Sequence, residues 1–166
     1  CKYCSFVSHV TGDENSLIPE YLELLKQEVA QKAALAKKNG HRITTLYIGG
    51  GTPTTLSASQ LERLMSKINE HVDTSTLLEF TLEAGRPDTI TREKFEVAKS
   101  YGVTRVSVNP QTLNDDILKE IGRHHTVDDF FRAIMAAAGY ELEAGYVAPI
   151  QFQQHELNSN RIRVVN

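Results

Sequence analysis

Tryptophan is absent from this sequence, and methionine and cysteine each occur only twice in 166 residues. Both cysteines, Cys1 and Cys4, fall within the first four positions. That placement argues against a disulfide framework, because a staple is most useful between distant segments. No apolar run approaches the ~20 residues that a membrane-spanning helix needs, and no secretory leader is visible. The expectation is a cytoplasmic protein with no membrane partner. There is little excess of charge either: the formal net charge is −3. A broad surface for nucleic acid is therefore not expected. The two common phosphate-cradling patterns, G-x-x-x-x-G-K-[ST] and G-x-G-x-x-G, are also missing.

What remains is the composition of an ordinary globular domain, 40% hydrophobic and 23% charged, and long enough to bury a real core. From Leu17 to Lys38, the residues Ile18, Leu22, Leu25, Val29 and Ala33 make one helical stripe. Ser16 is placed to start this helix, and Asn39 with Gly40 to end it. Ile43 to Ile48 reads as a strand that breaks at Gly49, Gly50, Gly51, Thr52 and Pro53. Ser57 with Gln60 forms a capping box for a helix carrying Leu61, Leu64, Met65 and Ile68. Leu78 to Glu83 reads as a second strand, followed by a helix capped by Thr91. Thr104 to Asn109 reads as a third strand, then short helix 114–121 and a helix opened by Thr126 and Asp129. Beyond Tyr140 the pattern weakens, although Gly145 to Ile150 and Arg161 to Val165 can be strands. The alternation predicts an α/β fold of parallel strands joined through helices. In such folds ligands gather at the carboxyl ends of the strands. Three polar segments fall there: Gly49 to Thr52, Glu83 to Asp88, and Asn109 to Gln111.

Taken singly, these features are ambiguous. Cys1 and Cys4, at C-x-x-C spacing, can grip one metal or one edge of a cluster, or can be two idle thiols on a terminus. A thioredoxin-type site is disfavoured, because a polar loop, His9 to Ser16, separates the pair from the first helix. The glycine run lets backbone groups approach a ligand closely, and equally suits a tight turn. Glu83, Gln111 and Arg123 are either site residues or solvated polar residues. His124 and His125, being adjacent, are poorly placed to converge on one ion and read as solvated or hydrogen-bonding side chains. Asp115 and Asp116 suit the start of a helix.

Together, the segments resemble a known family. Cys1, Tyr3, Cys4 and Phe6 resemble the end of the C-x-x-x-C-x-(aromatic)-C signature of radical S-adenosylmethionine (SAM) enzymes. Gly49, Gly50, Gly51, Thr52, Pro53 and Thr54 resemble the glycine-rich motif of that superfamily. Glu83 to Thr89, Ser107 to Thr112 and Ile121 to Thr126 resemble one branch, the oxygen-independent coproporphyrinogen III dehydrogenases and their relatives. The resemblance runs from Cys1 to about Gly139. It implies a partial (β/α) barrel of the radical SAM type over 1–139, with 140–166 a divergent or truncated tail. It further implies two cofactors, a [4Fe–4S] cluster and SAM. By resemblance, Cys1 and Cys4 are cluster ligands and Tyr3 lies beside the adenine. Gly49, Gly50, Gly51 and Thr52 form the turn that holds the SAM amino group. Glu83 faces SAM, Gln111 lies at the ribose, and Arg123 pairs with the SAM carboxylate.

The implied chemistry is reductive cleavage of SAM to a radical that takes hydrogen from a porphyrinogen propionate, with loss of carbon dioxide leaving a vinyl group. The implied partners are a porphyrinogen substrate, an electron donor and the remainder of the barrel. A haem-carrying relative is one other reading and an inactive structural fragment of the parent enzyme is another; Glu83 to Thr89 with Asn109 to Gln111 favour the dehydrogenase over the carrier. Three departures accompany the resemblance. The first signature cysteine would lie four residues before Cys1, outside this chain, and native residues are expected upstream. Position 6 is Phe6 where one branch carries an extra cysteine. After Gly139 the expected acidic strand and Gly-Leu-Pro turn do not appear. A partial barrel exposes sheet edges, so a marginal monomer or pairing with another chain is expected.

Overall fold

The structure is a computed structural model that describes residues 2, 4 and 17–139, together with the backbone of 143–147 and 162–165. Helix α1 (Leu17–Lys38) leads into strand β1 (Thr45–Ile48), helix α2 (Ala58–His71) and strand β2 (Glu79–Ala84). Helix α3 (Arg92–Ser100), strand β3 (Arg105–Val108), and helices α4 (Asp115–Glu120) and α5 (Val127–Gly139) follow. Strands β4 (Glu143–Val147) and β5 (Ile162–Val165) complete the described elements. Strand assignments fall within a few residues of those expected, and the sheet continues past Gly139 through β4 and β5. The N-cap expected at Ser16 lies outside the described residues.

Local chemistry accounts for the helix ends. Gly40 takes φ 69°, and the His41 N–H returns to the Ala36 carbonyl at 2.9 Å, closing α1 in the manner of a glycine-terminated helix. At α2 the box is reciprocal: Gln60 N–H donates to Ser57 Oγ, and Ser57 N–H donates to Gln60 Oε1. Thr91 accepts from Lys94 N–H at the start of α3, and Asn114 Oδ1 accepts from Asp116 N–H and Ile117 N–H at the start of α4. At α5, Thr126 N–H donates to Asp129 Oδ2 at 2.8 Å and Asp129 N–H donates to Thr126 Oγ1 at 3.2 Å. Asp115 does more than complement a helix dipole, since its carboxylate accepts from Val127 N–H at 2.8 Å and ties the start of α4 to the start of α5.

All five strands are parallel and lie in chain order, β1-β2-β3-β4-β5. A doubly wound sheet reverses its strand order at a switch point, whereas a barrel lays each strand beside its predecessor. This sheet follows the barrel progression. Alternation along the strands separates two environments. Phe80, Leu82 and Ala84 of β2, with Val106 and Val108 of β3, are fully buried against Leu61, Leu64 and Met65 of α2, Phe95 of α3, and Phe130 and Ala137 of α5. The intervening residues are polar: Glu79, Thr81 and Glu83 on β2, Arg105 and Ser107 on β3. Glu79 pairs with Arg105 at 3.2 Å and accepts from the Thr81 hydroxyl at 2.8 Å. Among the described residues no helix is long and apolar enough to cross a membrane.

Asp129 provides a stability test. The two bonds from Thr126, backbone first, and the pairing with Arg132 hold its carboxyl at about 2, below the ordinary aspartate value. A lowered folded value means the contribution is present above the unfolded pKa, near 4, and is lost as pH falls toward 2. Asp129→Asn is expected to cost about 1 kcal/mol above pH 4, the scale of a helix cap. Thermal unfolding curves of the variant and the parent should converge as the pH approaches 2.

Candidate functional site

The carboxyl ends of β1, β2 and β3 bring together three of the expected segments. After β1 the chain enters the glycine turn, where Gly50 takes φ 115°, a conformation that side chains other than hydrogen rarely permit. The Gly50 N–H donates to Glu83 Oε2 at 3.2 Å, joining the turn to the end of β2. Gly49 matters for a different reason: a side chain there would push Tyr47 or Glu83 aside. A Cβ there would lie 2.2 Å from Tyr47 Cε1 and 2.7 Å from Glu83 Oε2. Gly50 and Gly51 have open space beside them. The Thr52 hydroxyl donates to the Gly51 carbonyl and closes the turn.

The Tyr47 phenol lies close enough to Glu83 for the carboxylate to influence its titration. Tyr47 lies two residues before Gly49 and therefore on the polar face of β1, beside Glu83 on β2. Partial burial raises the Tyr47 pKa, and the Glu83 carboxylate raises it further. Past β2, the Gly85 carbonyl accepts from Arg123 Nη2 at 3.1 Å. Arg123 is only 7% exposed, and its Nε is buried without a hydrogen-bond partner among the described residues. Residue 2 reaches the same turn, because the Lys2 N–H donates to the Ile121 carbonyl at 3.0 Å. Cys4 is exposed, while Cys1 and Tyr3 lie outside the described residues.

Gln111 stands at the end of β3 with φ 63°, and its N–H donates to Asn109 Oδ1 at 3.0 Å. Its side chain makes no hydrogen bond to Glu83 or Arg123 among the described residues. The two histidines point to different environments: His124 is exposed, whereas His125 is buried and bonds the Pro110 carbonyl at 3.2 Å. Among the described residues no group of three metal-ligating side chains gathers at one place.

One further residue, which does not stand out in the sequence, holds the site from behind. Lys94, on α3, donates its ammonium to the Thr54 carbonyl at 2.6 Å and the Thr89 carbonyl at 2.8 Å. The Thr54 and Thr89 hydroxyls meet at 2.6 Å, and the Thr89 hydroxyl also reaches the Arg86 carbonyl at 2.8 Å. Lys94 thus fastens the segment after the glycine turn to the segment after Glu83. Burial lowers the Lys94 pKa. A groove of about 740 Å³ between α1 and α2, lined by Glu23, Lys26, Arg63 and Lys67 among others, shares no residue with this edge.

Two measurements test this arrangement. Glu83→Gln removes the charge beside Tyr47 but not the burial. The Tyr47 phenol should then titrate at lower pH than in the parent, read by carbon-13 NMR of labelled tyrosine rings; an unchanged titration would break the pairing. Lys94→Met leaves two loop carbonyls without their donor. It should destabilise the fold by about 1–3 kcal/mol in denaturant titrations.

Comparison with known proteins agrees with this geometry. The model of the Radical SAM superfamily matches residues 1–150. The oxygen-independent coproporphyrinogen-III oxidase-like protein HemZ of Bacillus subtilis (strain 168) is 38% identical over 130 residues, covering 78% of this chain and 26% of HemZ. The heme chaperone HemW of the same organism is 40% identical over 138 residues, covering 82% of this chain and 35% of HemW. Among solved structures, coproporphyrinogen III oxidase (HemN) from Escherichia coli superposes with a TM-score of 0.75 at 24% identity, covering 89% of this chain and 33% of HemN. This last likeness shows the fold. The chain spans from about a quarter to about a third of the length of these three proteins. With a parallel sheet laid down in barrel order and a family model matched over residues 1–150, the chain belongs to the radical SAM superfamily.

Proposed function

We propose that this chain is the SAM-binding part of a radical SAM enzyme that oxidatively decarboxylates porphyrinogen propionates. The observation that carries the reading is the convergence at one sheet edge of the Gly50–Glu83 bond and the buried Arg123, whose Nε has no partner among the described residues. The cofactors of the superfamily are SAM and a [4Fe–4S] cluster. The residues present fit SAM. Its ammonium needs acceptors, which Glu83 and the carbonyls of the glycine turn supply. Its carboxylate needs a fixed donor, and a buried guanidinium with a spare N–H is suited to that task. Its ribose hydroxyls suit the amide of Gln111, and its adenine suits the aromatic ring of Tyr3. Cys1 and Cys4 would provide thiolates to the cluster. When bound, these cofactors supply one-electron cleavage of SAM and abstraction of a hydrogen atom from an unactivated carbon.

In this reading the chain's own groups orient and exclude. Gly49 lets the turn lie against Tyr47 and Glu83. Gly85 holds the Arg123 guanidinium from one side. The substrate propionate would lose a hydrogen atom, carbon dioxide and one further electron to an acceptor, leaving a vinyl group. The second reading is a haem carrier. It is favoured by the 40% identity to a protein named heme chaperone, and Glu83 to Thr89 does not by itself choose between the two.

A longer chain that includes the upstream cluster cysteine implied by the resemblance would separate them. After anaerobic rebuilding of the cluster and addition of a reductant, the enzyme is expected to make 5′-deoxyadenosine from SAM and vinyl product from coproporphyrinogen III. Tight haem binding in a spectral titration, with no decarboxylation, would select the carrier. A bound cluster that never cleaves SAM would end the enzyme reading. Arg123→Lys should weaken SAM binding about tenfold, because an ammonium cannot reproduce the planar donor.

A further inference from the structure

We infer that His125 is a positioning residue for Gln111: its buried imidazole holds the Pro110 carbonyl and so locks the backbone conformation from which Gln111 is presented at the end of β3. The inference rests on the reading that Gln111 meets the SAM ribose.

Gln111 is the one non-glycine residue with positive φ among the described residues. Left-handed backbone is disfavoured for a side chain of this kind, which lacks the short local hydrogen bonds that ease asparagine into it. Something must therefore hold the turn. The peptide unit between Pro110 and Gln111 is planar, so its carbonyl and its N–H move together. The N–H is bonded to Asn109 Oδ1 at 3.0 Å. The carbonyl is bonded to His125 Nε2 at 3.2 Å. With both ends of one rigid plane anchored, rotation about the Gln111 N–Cα bond is confined. Pro110, itself buried, fixes its own φ and removes a further freedom.

The hydrogen-bond state of the imidazole follows from its partner. A carbonyl only accepts, so Nε2 carries the proton and Nδ1 is a bare acceptor. His125 is 3% exposed, and Nδ1 has no hydrogen-bond partner among the described residues. Burial, with the Arg123 charge also opposing a second proton, lowers the His125 pKa against the pull of the Pro110 carbonyl and of Asp88 and Asp129. Filling this volume alone would be done better by an apolar side chain, which strands no polar atom. The imidazole is explained by the carbonyl it holds. Arg123, two residues earlier, donates to the Gly85 carbonyl in the same way. A single turn, 123–125, thereby sets the loops after β2 and β3 relative to each other.

The test uses the same longer chain with two readouts, one of them independent of SAM. His125→Leu removes the donor, and His125→Phe does so with a ring of similar size should the leucine variant fold poorly. His125→Gln keeps a donor. Amide hydrogen exchange over residues 109–113, measured without SAM, should quicken about tenfold in the leucine or phenylalanine variant and return to within about threefold of the parent in the glutamine variant. SAM affinity should fall about tenfold in the leucine or phenylalanine variant, but by no further amount when His125→Leu is added to Gln111→Ala. Unchanged exchange over 109–113 would overturn the positioning role whatever the protein binds. Quickened exchange with SAM affinity untouched by Gln111→Ala would uphold the positioning of Gln111 and remove its ribose role.

Discussion

The register of the parallel sheet is the constraint on which the rest of this molecule depends. Ile48 lies beside Leu82, and Ala84 beside Val108. Because side chains alternate from face to face, this register sends Phe80, Leu82 and Val106 into the helices and leaves Tyr47 and Glu83 together on the opposite side. A slip of one residue would press the Glu83 carboxylate into the apolar layer and turn Leu82 out. Burying an unpaired carboxylate is costly enough to forbid it. The hydrophobic core therefore does more than stabilise the fold. It sets which strand-end groups can meet.

Beyond the strand ends the ladder no longer supplies partners for the backbone, and side chains take over. Three donors from two places in the chain hold loop carbonyls: Lys94 on α3 holds Thr54 and Thr89, and in the turn before α5 Arg123 holds Gly85 and His125 holds Pro110. All of these carbonyls lie in the segments that follow β1, β2 and β3. The loops are thus fixed by a small number of bonds whose donors come from far along the chain. Such bonds are strong where they are shielded from water and leave costly orphans when removed.

This division explains what could be read from the sequence. Helix caps are local, so Ser57 with Gln60, Thr126 with Asp129 and the glycine after α1 announce themselves within four or five residues. Strand ends carrying Gly49 to Thr52, Glu83 and Gln111 are legible because parallel folds put polar residues there, and because the ordered motifs resemble a family. The Tyr47–Glu83 pairing, the Lys94 tie and the His125–Pro110 bond were not legible. The first two span 36 to 40 residues, and the third looks locally like any histidine near a helix start. Tyr47 had a faint signal, since it lies two residues before Gly49 on the same strand. Lys94 had none, because a lysine on a short helix is ordinarily solvated. Of the two cysteines on which the cluster reading depends, Cys4 is exposed and Cys1 lies outside the described residues.

The chain-order arrangement of the strands has a consequence for how such a protein is made. Each new strand finds its neighbour already in place, so the sheet can be extended one unit at a time as the polypeptide leaves the ribosome. From the glycine turn to the last of the carbonyl-holding side chains, the pocket's edge is one continuous stretch of translation, residues 49 to 125.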